Sequence, residues 1–578
     1  MARYIIVGGV AGGMSAAARL RRVAENAEII VVEKGSYVSY ANCGLPYYIG
    51  DTIKQRDDLF VQTPESIARR FNVDVRINSE AVRINSAKKS LEIKNLATGE
   101  IYTERYGKLI LSPGAEAVMP AISGIASDKI FTLRTIPDTD RIKAYVDSVR
   151  PKRALIVGAG YIGVEMAENL QRRGIAITMV EAANQVIPSF DYEMAALIHQ
   201  YLKTRNIELY LNETASAFEE NGPGIKTCLK SGQEIETDMV VLSIGVKPDI
   251  AIAKEAGLAT GEKGGIVVNE YLQTSDPNIY ALGDAIEIIN AVTGKKAVIP
   301  LAGPANKQGR IAADNAVFGN RVKYNGTFGT AIAKIFDMDV AVTGANEKLL
   351  KSEKIPCQSV IIHPLSHAGY YPNPQPMTVK ILFSPGNGRI LGAQCVGYEG
   401  IDKRIDMFAQ AMHFKGTVYD LAEIEHAYAP PYSSAKDVVN FAGFAAENIL
   451  MGKSKPVHWD EIDKRDAEKT YLVDVRTPEE FHSGTITGAV NIPVDTLRGQ
   501  LSALPKDKEI IVFCRVGLRG YIAERILSQN GWKAVRNLSG GYITYAAATA
   551  KQDNFHAFGE RYDTGLHSAK KEVRKDKV

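Results

Sequence analysis

The chain has 578 residues, 23% charged and 45% hydrophobic, with a net charge of +3. At roughly 100–200 residues per domain it is a chain of several globular domains, and its balanced charge excludes a disordered polymer and a general nucleic-acid binder. Its N-terminus enters an apolar strand without a cleavable leader, no apolar run reaches the roughly 18–20 residues of a bilayer span, and the widely spaced cysteines 43, 228, 357, 395 and 514 fit a reducing compartment. The expectation is a cytoplasmic protein with no membrane or nucleic-acid partner, no metal, and thiol chemistry confined to single cysteines.

In chain order, "ARYIIVGGVAGGMSAAARLRR" followed by "IIVVEK" predicts strand, glycine turn, helix and strand, closing on Glu33 and Lys34. Its turn is Gly8-Gly9-Val10-Ala11-Gly12-Gly13, with Val10 where the middle glycine of the usual fingerprint stands. "SYANCGLPYY" then carries the lone Cys43, with no second cysteine at the spacing of a redox pair. "LILSPGA" predicts a strand and a turn holding Ser112 and Gly114. A second strand–turn–helix follows, "RALIVGAGYIGVEMAENLQRRG", with the full fingerprint Gly158, Gly160, Gly163 around Tyr161 and Ile162, and Glu181 closing "ITMVEA". "TSDPNIYALGDA" ends a later strand in Gly283-Asp284. Glycines at such turns let a dinucleotide pyrophosphate reach backbone N–H groups at a helix start, and an acid at the end of the second strand receives a ribose hydroxyl. Because Glu181 repels a 2′-phosphate and Arg172 and Arg173 lie earlier on the helix, NADH is expected over NADPH, with NADPH as the alternative.

Residues 326–450 alternate strand and helix patterns, and "MGKSKPVHW" reads as a linker. A new α/β unit follows, with "TYLVDVRTPEEFHSGTITGAVNIP" and then strand "EIIVF", loop Cys514-Arg515-Val516-Gly517-Leu518-Arg519-Gly520 and a helix. Such a loop makes a nest of N–H groups suited to a thiolate or persulfide. The last residues form a short basic tail read as a solvated segment.

The order of flavin motif, turn, second fingerprint and GD motif resembles the FAD-dependent two-dinucleotide oxidoreductases. "SYANCGLPYY" closely resembles the active-site stretch of the coenzyme A disulfide reductases, and the C-terminal unit resembles the rhodaneses; together they resemble the reductase–rhodanese fusions described as NADH-dependent persulfide reductases. The resemblance implies two Rossmann-like domains, an α+β dimerisation domain and a rhodanese α/β domain. The expected boundaries are 1–114 and 246–325 for FAD, 115–245 for NAD(P)H, 326–450 for dimerisation, 451–457 for the linker, 458–555 for the rhodanese unit and 556–578 for the tail.

The resemblance also implies FAD, NADH and coenzyme A as substrate or bound ligand, in a homodimer. Cys43 would alternate between thiolate and a mixed disulfide with CoA; Ser15, Arg19 and Arg22, one stripe of the first helix, would contact CoA with Ser39, Asn42, Arg70, Asn306 and Lys436. Phe71 stands where that family often has a cation. Tyr370 and Tyr428 would reach across the dimer to protonate the leaving thiolate, with Tyr371 a local rival to Tyr370, and Cys514 would carry sulfane sulfur. Asp474 and Glu479 read as residues ordering the rhodanese loop, and Thr485 stands where rhodaneses commonly have histidine. From Gly44-Leu45-Pro46 a helix is expected to start behind Cys43 and to lower its thiol pKa. Two other readings stay open: an NADH peroxidase or oxidase working through a Cys43 sulfenic acid, and a sulfurtransferase whose flavin half is secondary. Peroxidases of this kind carry a histidine in the first turn, where this chain has Val10-Ala11.

Overall fold

The computed structural model describes residues 2–550; the expected basic tail lies outside them. The chain divides into one unit of residues 1–182 and 210–329 and a second of residues 183–209 and 330–578.

In the first unit, strand Arg3–Val7 runs parallel to Glu28–Val32 on one side and Lys108–Leu111 on the other, and the sheet is completed by Asp74–Arg76 and Ile279–Ala281. These strands are near-continuous Ile, Val and Leu and are buried on both faces, as parallel strands under helices must be. Ile279–Ala281 returns about 170 residues after Lys108–Leu111 because the second nucleotide fold is inserted between them. That insert repeats the plan: Arg153–Val157 pairs in parallel with Ala176–Glu181 and with Met239–Leu242, which pairs with Ile130–Thr132. Helix Ala302–Phe318 crosses helix Ala11–Val23 at very close range: a Cβ on Gly309 would lie 2.4 Å from the Gly12 carbonyl oxygen. Only a glycine there lets the second helix bring Asn306 beside Ser15.

The second unit holds a five-stranded antiparallel sheet ordered Ala331–Ile335, Met338–Gly344, Ile390–Gly397, Met377–Phe383, Gln358–Ile362. It also holds a five-stranded parallel sheet ordered Pro456–Val457, Val535–Leu538, Glu509–Phe513, Thr470–Asp474, Val490–Asn491. Two of the expected linker residues, Pro456 and Val457, thus form an edge strand of the C-terminal sheet.

The two parts of this unit are bonded together. Ile361 N–H donates to Ser539 Oγ at 3.0 Å, and the His363 ring bridges Thr378 Oγ1 and Thr544 Oγ1 at 2.9 Å each. Burial holds the His363 pKa down, to about 4, so the bridge is a neutral imidazole. Residues 183–209 join the same unit through a buried charge cluster. Lys380, wholly buried, places its ammonium 2.9 Å from Asp191, 2.8 Å from Glu347 and in contact with Glu193, while Gln394 and Trp459 donate to Asp191 and Glu193.

Candidate active sites

Each glycine turn is built the same way. Gly8 sits at φ +98°, and a Cβ there would lie 2.0 Å from the Ser112 carbonyl oxygen; Gly158 at φ +99° meets the Ser243 carbonyl oxygen at 2.5 Å. No side chain fits either place. The next N–H in each turn is taken by the acid at the end of the second strand: Gly9 donates to Glu33 and Ala159 to Glu181, both at 2.7 Å. Glu33 also accepts from Gly35 at 2.7 Å. Helices Ala11–Val23 and Tyr161–Arg172 start with no side-chain cap and no acid in the first turn, and a Cβ on Gly160 would meet nothing within 4 Å. Both helix starts therefore present N–H groups to an anion, and the second leaves an open cradle at Gly160. Near the first turn, Gly283 N–H donates to Gln308, and Asp284 pairs with Arg134 at 3.0 Å; Gly114 turns at φ +81° and Lys34 pairs with Glu80. Arg172 and Arg173 are engaged by Glu168, Asp51 and Asp147.

Cys43 lies in the wall of a cavity of about 580 Å³ whose lining includes Ser15, Arg22, Ser39, Asn42, Arg70 and Asn306. Six of the eight residues expected to contact CoA thus meet around the thiol, although they come from four separate stretches of chain. Arg19 does not join them: its guanidinium is held by Asp314 at 2.6 and 3.1 Å, since Asp314 on helix Ala302–Phe318 faces that turn of helix Ala11–Val23. Gln62 and Arg310 also line the cavity, and no local pattern in the sequence marked them. Arg22, Arg70 and Arg310 make no ion pair among the described residues, leaving three cations in the lining of the cavity that Cys43 shares.

The loop under Cys43 is pinned. Ser39 adopts φ +48°, a strained conformation for a serine, while its N–H donates to the Gly9 carbonyl and its own carbonyl accepts from Val61. Asn42–Gly44 form one 3₁₀ turn and Leu45–Ile49 a helix with Pro46 at its start. The helix expected behind Cys43 is therefore present, but the expected fall in pKa is not. The residue is open to solvent on one side, yet the protein around its sulfur, followed by the Glu165 and Asp284 carboxylates, pushes the thiol up. A five-residue helix carries too small a dipole to offset the burial and the two carboxylates. Glu165, which sequence reasoning missed, lies on helix Tyr161–Arg172; burial raises its pKa to about 7, and the Tyr47 hydroxyl donates to it at 3.5 Å.

In the second unit the Tyr370 and Tyr428 hydroxyls hydrogen-bond to each other although the residues are 58 apart in sequence, and both rings are exposed. Tyr371 instead sets its ring edge against buried His367, which separates it from Tyr370 in role. The two tyrosine loops are tied together by Ala368 N–H to the Ser433 carbonyl and by buried Arg404, which donates to the Ser366 carbonyl and to Asp437. Lys436 is exposed beside Asp437.

Cys514 ends strand Glu509–Phe513, buried, with its Sγ accepting from Gly517 N–H at 3.2 Å. Arg515 and Val516 span the loop; Leu518 opens the following helix, and the Gly520 backbone passes where a Cβ would strike Asn537 at 2.2 Å. The loop's ordering acid is Glu480, not Glu479: Arg519 donates to both Glu480 oxygens at 2.7 Å, whereas Glu479 is exposed one residue earlier on the short helix Pro478–His482. Asp474 is structural as expected in chemistry, pairing buried with Arg476 and accepting from Thr485 at 2.8 Å.

Family comparisons agree with this arrangement. Residues 2–309 match the family described as pyridine nucleotide-disulphide oxidoreductase, residues 330–438 its dimerisation domain, and residues 458–548 the rhodanese-like domain. The chain belongs to the pyridine nucleotide-disulphide oxidoreductases. It is 36% identical over 449 residues to the coenzyme A disulfide reductase of Staphylococcus haemolyticus, covering 78% of this chain and all of that one. Among solved structures, reduced Bacillus anthracis CoADR-RHD is 52% identical with a TM-score of 0.93, covering 94% of this chain and 98% of that one. The NAD-dependent persulfide reductase of A. fulgidus is 34% identical with a TM-score of 0.88, covering 94% and 100%.

Membership of this oxidoreductase family implies FAD and a nicotinamide dinucleotide. The residues fit both: two uncapped helix starts, two acids set for ribose, and an open cradle at Gly160. Gly8, Gly9, Ala11, Gly12, Gly13, Glu33, Ser112 and Asp284 would hold the flavin, and Gly158, Gly160, Tyr161, Ile162, Gly163 and Glu181 the nicotinamide dinucleotide. No helix among the described residues is long and apolar enough to cross a membrane.

Proposed function

We propose that this chain, as a homodimer, uses NADH to reduce sulfur–sulfur bonds carried on coenzyme A, with persulfides as its main substrates. The observation that carries the reading is the Cys43 cavity: one thiol without an internal partner, flanked by Ser39 and Asn42 and sharing the cavity lining with three arginines that make no ion pair among the described residues, in a chain that also carries a rhodanese-like loop. A thiol with no partner within reach reacts with a visiting sulfur, and three cations suit a visitor bearing several phosphates.

Bound FAD supplies the relay of two electrons from nicotinamide to sulfur that no side chain can provide. Cys43 thiolate attacks the CoA-bound sulfur of CoA persulfide or CoA disulfide, forming a mixed disulfide and releasing sulfide or CoA thiolate. Two electrons and a proton then return Cys43 and free the CoA thiol. We assign Tyr370 and Tyr428 to proton delivery, since a phenol hydrogen-bonded to a second phenol is an aligned donor. Glu181, on the Ala159 N–H, and the prior engagement of Arg172 and Arg173 favour NADH over NADPH. Cys514 carries sulfane sulfur toward or away from the same CoA pool.

The test is anaerobic NADH oxidation with CoA persulfide, CoA disulfide, polysulfide and peroxide, scoring sulfide and thiol release. Cys43→Ser is expected to lose at least 100-fold in kcat on every sulfur substrate, while Cys514→Ser keeps CoA disulfide reduction. Peroxide as the best substrate, or full activity in Cys43→Ser, would overturn the reading.

A further inference from the structure

We infer that the rhodanese-like loop draws sulfur from persulfides on an alkyl stem and discriminates against dianionic thiosulfate, and that the Glu480–Arg519 pair sets this choice. The inference rests on Cys514 being the sulfur carrier.

A dianion is recognised by cations free to pair with it, because stripping its water without replacement is costly. Here one guanidinium of the loop is already engaged: both terminal nitrogens of Arg519 donate to Glu480 at 2.7 Å, and the same group reaches the Cys514 side chain. Glu480 in turn accepts Thr477 N–H at 3.0 Å, so turning it away would also uncap helix Pro478–His482. Of the other guanidinia nearby, Arg476 is committed to buried Asp474 and to the Gly484 carbonyl, and Arg515 beside Cys514 has a partner of its own. What the loop leaves open is apolar: Leu518, next to the Gly517 N–H that touches Cys514 Sγ, is 60% exposed, and Ile522, one helical turn on, is 39% exposed. Residues four apart share a helix face, so together they offer a strip for a methylene stem.

In the step, Cys514 thiolate attacks the terminal sulfur of R–S–SH. A new S–S bond forms at Cys514, the donor's S–S bond breaks, and its electron pair departs on the alkyl thiolate, which takes a proton from solvent. The sulfur moves as a neutral atom and no oxidant or reductant is consumed.

The test uses the full-length protein, with thiosulfate or 2-mercaptoethanol persulfide as donor, cyanide as acceptor and thiocyanate as readout. The wild type is expected to favour the persulfide at least tenfold in kcat/KM. Glu480→Gln, which frees Arg519, and Leu518→Lys, which adds a cation and leaves the pair and helix cap intact, should each move the donor ratio at least tenfold toward thiosulfate. That shift should lie in the thiosulfate KM and shrink at high salt, and Glu480→Asp should stay within threefold of the wild-type ratio. A wild type that prefers thiosulfate, or a ratio unmoved in Leu518→Lys, overturns the inference. Transfer that persists in Cys514→Ser overturns instead the carrier reading beneath it.

Discussion

Cys43 stood out in sequence because its flanking residues form a contiguous signature, but nothing local marked what sets its acidity. That acidity is set first by the protein packed around the sulfur and then by Glu165 and Asp284, which stand more than 120 and 240 residues away and reach it only through the fold. Since the folded thiol is pushed above its ordinary value, the thiolate fraction at neutral pH is smaller than that of a free cysteine, and reactivity grows as pH rises. We predict that alkylation of Cys43 by iodoacetamide in the flavin-loaded enzyme has a midpoint above the ~8.5 of a free thiol. Glu165→Gln, which removes the carboxylate with the larger effect on the thiol, should lower that midpoint; an unchanged midpoint would contradict the account. Glu480 gives the same lesson: two adjacent glutamates are indistinguishable by pattern, and only the orientation of a five-residue helix selects one of them for Arg519. Arg19 fell on the expected stripe, but a helical stripe does not reveal which neighbouring helix carries an acid opposite it.

At the scale of elements the sequence was most informative. Both strand–turn–helix fingerprints are local: Glu33 lies 24 positions from the Gly9 N–H it accepts and Glu181 22 positions from that of Ala159. The acid-to-backbone bond seen in both turns sharpens the nicotinamide prediction, because Glu181 is fixed by Ala159 and does not swing aside. Glu181→Ala is expected to cut the NADH:NADPH ratio of kcat/KM by at least tenfold; steady-state kinetics with both nucleotides check it, and an unmoved ratio would assign discrimination elsewhere. The Tyr370–Tyr428 pairing, by contrast, depends on two loops brought together by Arg404 and Asp437, which sequence spacing does not encode.

For the whole molecule, the division into nucleotide, dimerisation and rhodanese parts follows from motif order and the family resemblance those motifs carry, but the assignment of residues 183–209 to the second unit does not. Among the bonds that tie it there are those of Lys380, a lysine inside an otherwise apolar strand, whose ammonium meets Asp191 and Glu193 from that segment. Burial alone would strip its proton; Glu193, Asp191 and Glu347 keep it. Removing one partner of such a buried network leaves uncompensated charge, so Lys380→Met should cost about 3–5 kcal/mol, read as a loss in denaturant midpoint. A midpoint equal to wild type would mean the cluster contributes nothing net.

The bonds from Ile361 to Ser539 and from His363 to Thr544 bear on how this chain can be taken apart. A sheet-edge N–H and a neutral imidazole both find their partners in the sulfur-carrying half, so cutting the chain after Leu450 would bare them to solvent on the other half. The fusion behaves as a joint with a face of its own, and neither half is a spare part that can be exchanged without rebuilding that face.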